Sequence, residues 1–151
     1  MRSTRRRLRK FLSLPSSERL LLIKSALMLM AIKVGLKLLP FRHLNSLLAR
    51  TSHTPRHSRK NGSFKPDQLV RSVDIASRYI PGAGNCLVQA LAAQALLARH
   101  GHLATVRIGV THDEENQFKA HAWLESEGKV VIGGPDLDGY APLLAIERNT
   151  S

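Results

Sequence analysis

NCLVQALAAQALLARH, residues 85–100, is the stretch that decides the fold of this chain. It places the single cysteine, Cys86, at the start of the most apolar segment, where only two glutamines interrupt the run before Arg99. A helix that is apolar nearly all round is predicted to be buried, and its alanines allow neighbouring elements to approach closely. Asn85 is a favourable N-cap, and Gly101 marks the end of the helix.

The position of Cys86 makes it a candidate nucleophile. A thiol in the first turn of a helix lies among unpaired N–H groups at the positive end of the helix dipole, which favours the nucleophilic thiolate. One cysteine cannot form a disulfide within the chain, and it excludes a multi-cysteine zinc or iron–sulfur site. We therefore expect a reduced, cytoplasmic setting and no metal or other cofactor.

The charge of the chain is concentrated in its first half. Residues 1–65 carry 16 Lys/Arg against one acid, or +15, whereas residues 66–151 carry 7 against 10, or −3. A hydrophobic content of 43% with 23% charged residues is typical of a folded chain with one core. We predict a basic helical N-terminal region over residues 1–65 and a catalytic domain over residues 66–151.

Residues 19–39 predict a long helix with leucines at helical spacing. The apolar run approaches the length of a membrane span, but Lys24, Lys33 and Lys37 interrupt it, and each is costly near the bilayer centre. We therefore favour an amphipathic helix packed on protein over one that lies on a membrane surface or crosses the membrane.

The remaining pattern predicts helices followed by an antiparallel sheet, which is an α+β fold. Alternating residues predict strands, and proline and glycine mark the ends of elements. The predicted elements are a short helix over residues 41–50, a basic loop over 51–63, a helix from Pro66 to Pro81, strands over 103–110, 118–125 and 130–134, and an apolar tail that ends near 145.

Alternation within residues 118–125 puts His121 and Trp123 on the face opposite the most apolar side of the strand. A cysteine at a helix start and a histidine within a following strand can form a thiol–imidazole pair, in which the imidazole takes the thiol proton and later donates it to the leaving group. Asp136 is the best placed by chain order to orient the imidazole. The candidate catalytic residues are Cys86, His121 and Asp136. Composition alone also allows a buried structural cysteine and a structural histidine.

A resemblance strengthens the catalytic interpretation. The run NCLVQALAAQALLARHGHLATVRIGV, followed by AHAWLE and VVIGGPDLDGYAPL, resembles the transglutaminase-like leader peptidases of lasso peptide biosynthesis. The segment SSERLLLIKSALMLMAIKVGLKLLPFRHL is similar to the helical N-terminal part of the same family. The resemblance implies a papain/transglutaminase-like cysteine protease fold with a helical N-terminal extension. It also implies a bacterial cytoplasmic enzyme that removes the leader from a ribosomally made precursor before a partner cyclase closes the macrolactam.

By motif, Cys86 matches the nucleophile of the family and His121 the imidazole. Members often have an aspartate where this chain has Gly133-Gly134, so the third residue stays open between Asp136 and Asp138. Longer relatives begin with a leader-binding domain rich in strands. Nothing before residue 67 alternates like strands, so we expect the stand-alone protease half and a separate leader-binding protein as partner. We expect no nucleic acid partner and no transmembrane segment, and peripheral contact with a membrane stays open.

Two other functions stay open. The same residues could transfer an acyl group to an amine, as transglutaminases do. Alternatively, the chain could be a non-catalytic adaptor whose basic half binds nucleic acid or a membrane.

Overall fold

The computed structural model describes residues 13–40, 42–43, 46–47, 64–82, 84–112, 114–134, 137 and 139–147. These residues form three long helices and a four-stranded sheet. The elements, in chain order, are α1 (Ser16–Leu38), α2 (Pro66–Ser77), α3 (Cys86–Arg99), β1 (Thr105–His112), β2 (Phe118–Ser126), β3 (Lys129–Ile132) and β4 (Ala141–Glu147).

Helix α3 forms the centre of the fold, as its composition predicts. Val88 and every residue from 90 to 98 are buried. One hydrophobic cluster joins α3 to the inner faces of α1 and α2 and to one face of the sheet. The predicted N-cap is confirmed, because the side chain of Asn85 accepts a hydrogen bond from the backbone N–H of Leu87 at 3.1 Å.

Helix α1 packs on α2 and α3, so the predicted packing on protein is confirmed. Its buried residues include Leu29 and Ile32, which are fully enclosed. A buried hydrogen bond of 2.7 Å between the hydroxyls of Ser25 and Ser72 joins α1 to α2. Within the described part of the chain, no helix combines the length and hydropathy needed to cross a membrane.

The sheet has the strand order β3-β2-β1-β4, and each neighbouring pair is antiparallel. The predicted β1–β2 hairpin is confirmed, with Val106 opposite Leu124 and Gly109 opposite His121. Val106 and Leu124 are fully buried against the helices. Gly109 and His121 occupy the alternate positions of the two strands, so they lie on the other face of the sheet. The described elements therefore form a helical layer on one face of an antiparallel sheet, which is the predicted α+β class.

Strand β4 is absent from the sequence prediction, which treated its residues as part of an apolar tail. Pro142 lies within the strand and weakens the sequence signal, because proline cannot donate a hydrogen bond to a neighbouring strand. β4 lies at an edge of the sheet, where this loss is tolerated, and its pairing with β1 shifts register beside Gly109. Gln94 of α3 fixes both strands, because its Nε2 donates to the carbonyl oxygens of Ala104 at 3.0 Å and Ile146 at 2.6 Å.

Other boundaries differ slightly from the predictions. α2 ends at Ser77, β1 is shifted two residues toward the C-terminus, and β3 ends at Ile132 rather than at 134. The predicted loop over 51–63 lies outside the described residues, and so does most of the predicted helix over 41–50. The division of the chain at residues 65 and 66 stays a prediction.

Candidate active site

Cys86 is the first residue of α3 and is half-buried. Its Sγ lies 3.6 Å from Oδ1 of Asn85, the same oxygen that caps the helix. Lys33 of α1 supports the preceding loop, because its ammonium group donates a hydrogen bond to the carbonyl oxygen of Pro81. The Asn85 cap and Lys33 therefore both contact the segment that leads into Cys86.

His121 lies near the start of β2 and is half-buried. Its Nε2 is 2.7 Å from the carbonyl oxygen of Gly133, just beyond the end of β3. A carbonyl oxygen can only accept, so the partner assigns the proton to Nε2 and leaves the lone pair on Nδ1. The backbone of Gly133 therefore orients the imidazole and fixes its tautomer.

Two aromatic side chains surround the imidazole. The ring of Trp123 stacks beside it with the centroids 6.5 Å apart, and the ring of Tyr140 lies 5.6 Å away. A Cβ at Gly109 would come within 2.8 Å of the Trp123 ring, so the indole can cover β1 only because this position has no side chain. Trp123 is 5% exposed, which gives the imidazole an apolar wall.

The far side of Trp123 is held by an ion pair. Nε1 of the indole donates to Oε1 of Glu125 at 2.9 Å, and Nε of Arg107 lies 2.6 Å from Oε2. Burial alone would raise the pKa of Glu125, but hydrogen bonds from Trp123 and Arg107 and the charge of Arg107 together lower it below its ordinary value. The carboxylate therefore stays ionised and orients the indole that stacks on His121.

Cys86 begins α3 in the helical layer, whereas the alternation of β2 places His121 on the opposite face of the sheet. Gln94 contacts the start of β1, where Thr105 pairs with Glu125, so this level is common to α3 and β2. Cys86 precedes Gln94 by eight residues, which is roughly 12 Å of helix. His121 precedes Glu125 by four residues, which is roughly 13 Å of strand.

The structure does not join the two side chains, because no hydrogen bond links Cys86 to His121 among the described residues. The predicted face of His121 is confirmed, since the imidazole shares with Trp123 the side of β2 opposite Leu124. Asp136 and Asp138 lie outside the described residues, so the predicted third catalytic residue stays a prediction.

Sequence reasoning missed the acceptor of His121 and its second aromatic neighbour. The hydrogen bond uses the backbone of Gly133, and a carbonyl oxygen carries no residue-specific signal. Tyr140 is 19 positions away along the chain, and no local period connects the two residues. The neighbouring Trp123 had a signal, because residues two apart in a strand share a face.

A thiol at a helix N-terminus and a histidine on a strand are the residue types that cysteine-dependent proteases and acyltransferases use. The family model of the transglutaminase-like superfamily matches residues 26–145. The chain therefore belongs to the transglutaminase-like superfamily, and the matched range includes most of α1 as well as the sheet. Neither the curated proteins nor the solved structures contain a significant match to the chain.

Proposed function

We propose that this protein is a cysteine protease that removes the leader peptide from a ribosomally synthesised lasso peptide precursor. Cys86 at the open N-terminus of α3, with His121 held in the Nε2–H tautomer, is the observation that supports a cysteine hydrolase. The superfamily includes cysteine proteases and acyltransferases. The sequence motifs around both residues resemble the leader peptidases, and this resemblance supports the choice of substrate.

The proposed reaction requires a contact between Nδ1 of His121 and the Cys86 thiol that the described residues do not form. In that contact, Nδ1 takes the thiol proton, and Sγ attacks the carbonyl carbon of the scissile peptide bond. The N–H of Leu87 is taken by the Asn85 cap, so the remaining N–H groups of the first turn and the helix dipole would favour the negative charge that develops on the carbonyl oxygen. Nδ1 then gives its proton to the leaving amine as the C–N bond breaks. The remaining thioester is hydrolysed by a water whose proton passes to Nδ1, which releases the carboxylic acid and restores the thiol.

The third residue of the proposed triad is Asp136. Because the carbonyl of Gly133 already accepts from Nε2, part of the orienting role belongs to the backbone. We therefore expect Asp136→Ala to weaken cleavage by about tenfold, far less than loss of the nucleophile or base. A larger loss in Asp138→Ala than in Asp136→Ala would assign the role to the other carboxylate.

The proposed reaction requires partners. We propose that a separate leader-binding protein presents the precursor, that a lasso cyclase consumes the product, and that all act in the bacterial cytoplasm. Tethering the precursor through its leader would raise the local concentration of the scissile bond to about millimolar, even when the active site binds it weakly.

The test is leader release from a synthetic precursor, measured by mass spectrometry with and without the leader-binding protein. We expect Cys86→Ala and His121→Ala to lower the rate by at least about 10³-fold, with unchanged circular dichroism. His102→Ala is the matched control, because its ring lies 3.3 Å from the carbonyl of Phe64 and does not contact His121. Undiminished cleavage by a folded Cys86→Ala variant would refute the assignment as a cysteine protease.

Acyl transfer is the second candidate, because the same thioester can react with an amine in place of water. A peptide amine added to the assay distinguishes the two reactions. A Cys86-dependent amide product without leader hydrolysis would show that the protein is an acyltransferase and not a protease. A non-catalytic adaptor would show neither product.

A further inference from the structure

Helix α1 has two apolar faces, and the described elements pack on only one of them. The inner face, which includes Leu21, Leu29 and Ile32, packs in the core. The opposite face carries six large apolar side chains that are 44% to 76% exposed. We call this set the outer stripe, and it consists of Leu20, Ile23, Leu27, Met30, Val34 and Leu38.

The outer stripe is continuous. Its members follow one another at spacings of three or four residues, so they line one side of the helix over about 27 Å. Large apolar patches of this kind on a folded protein mark binding surfaces. None of the described elements packs on this side of α1, and the core needs none of these side chains.

Positive charge borders the stripe on both sides. At 100° per residue, the exposed Lys24 lies next to one edge of the stripe, and the exposed Lys37 lies next to the other. Glu18 is the only acid among residues 1–65, and it projects toward the inner side of the helix. The sequence just before the helix adds six Lys/Arg within residues 1–10. The occupant of this face must therefore be apolar at its centre and anionic around it.

We propose that the outer stripe docks the folded protein on the surface of an anionic lipid bilayer. α1 would lie in the plane of the interface, with its apolar side chains at the boundary of headgroups and acyl chains and its cations on lipid phosphates. The inner face stays packed in the core, so docking requires no unfolding. A second copy of the chain fits this face poorly, because each copy has a net charge of +12.

The experiment is co-sedimentation of the full-length protein with vesicles of phosphatidylcholine alone or mixed with phosphatidylglycerol. We expect binding to the mixed vesicles that weakens as NaCl rises from about 0.05 M to 0.5 M. Leu20→Gln/Leu27→Gln/Leu38→Gln should weaken it by at least about tenfold, because three apolar side chains leave the interface. The matched control is Leu103→Gln/Leu143→Gln, which changes two leucines that are 60% and 69% exposed outside α1 and should bind like wild type.

A second variant separates charge from apolar contact. Lys24→Gln/Lys37→Gln should reduce binding to the mixed vesicles by about tenfold or more, with little change for neutral vesicles. The proposal is wrong if the wild type binds neither vesicle, or if the triple leucine variant binds as tightly as wild type, which would assign the binding to the arginines of residues 1–10. Light scattering that reveals a dimer abolished by the triple variant would assign the stripe to a second copy. A stoichiometric complex of the stripe with an acidic partner helix, without vesicle binding, would also overturn it.

Discussion

Substitution of Gly133 tests the contact that orients the candidate base. Gly133 has φ +111°, and a Cβ there would lie 2.5 Å from Cβ and 2.9 Å from Cα of Trp123. The backbone strain of a side chain at this φ costs about 1–3 kcal/mol. Overpacking against this Cα and Cβ, which no side-chain rotation can move, costs about 1–3 kcal/mol more. We therefore expect Gly133→Ala to lower the free energy of unfolding by about 2–6 kcal/mol, a large part of a typical domain stability of about 5–15 kcal/mol.

Gly128→Ala is the matched control for this substitution. Gly128 lies in the turn between β2 and β3 with φ +74°, and a Cβ there would meet nothing within 4 Å. The control therefore contains the backbone strain without the overlap, and we expect it to cost about 1 kcal/mol. Urea unfolding followed by circular dichroism and by the fluorescence of Trp123, the only tryptophan, measures both variants. Equal losses of stability in the two variants would refute the argument from close packing.

The same variant has a functional consequence that stability alone does not produce. Relief of the overlap must shift the main chain of Gly133 away from Trp123, and the carbonyl oxygen that holds Nε2 of His121 shifts with it. A displacement of about 1 Å at a catalytic group can cost about 10²-fold in rate. We expect kcat/KM for leader release to fall by at least about tenfold at temperatures where Gly133→Ala is folded, whereas Gly128→Ala keeps the wild-type value. Unchanged kcat/KM in folded Gly133→Ala would show that the carbonyl does not position the base.

Two further substitutions test the packing around the site. Gln94→Met should lower the free energy of unfolding by about 2–4 kcal/mol, because the buried carbonyls of Ala104 and Ile146 lose their donor. Gln89→Met, which removes one half-buried bond to Ser77, should cost about 1 kcal/mol, and equal losses would contradict this account. Glu125→Gln tests the lowered pKa of Glu125. Because the pKa of this carboxyl in the folded protein lies below its ordinary value of 4.5, the ionised carboxylate stabilises the folded state above pH 4.5. This stabilisation is lost as the pH falls from 4.5 toward the pKa of the folded state. Urea unfolding between pH 7 and pH 3 should therefore show a shallower acid decline in Glu125→Gln, and parallel declines would contradict the assignment.

The sequence by itself determined the features that depend on neighbouring residues. The composition of residues 85–100 predicted the buried helix, and the Asn85 side chain predicted its start, because capping and periodicity act over one or two turns. Alternation likewise placed His121 and Trp123 on one face of a strand. The β1–β2 hairpin followed from two alternating runs joined by a polar segment.

The tertiary structure alone decided the contacts between segments that are distant along the chain. β4 pairs with β1 across more than 30 residues. Strand propensities count against Pro142, but the cost of a proline depends on whether its strand lies at the edge or in the middle of the sheet, which the sequence does not reveal. Because α1 is apolar on two sides, its sequence does not reveal which side is buried. Packing against α2 and α3 determines the inner face. The acceptor of His121 is a backbone oxygen of Gly133, and every residue has such an oxygen. Only the turn of the chain beyond β3 brings this one within 2.7 Å of the imidazole.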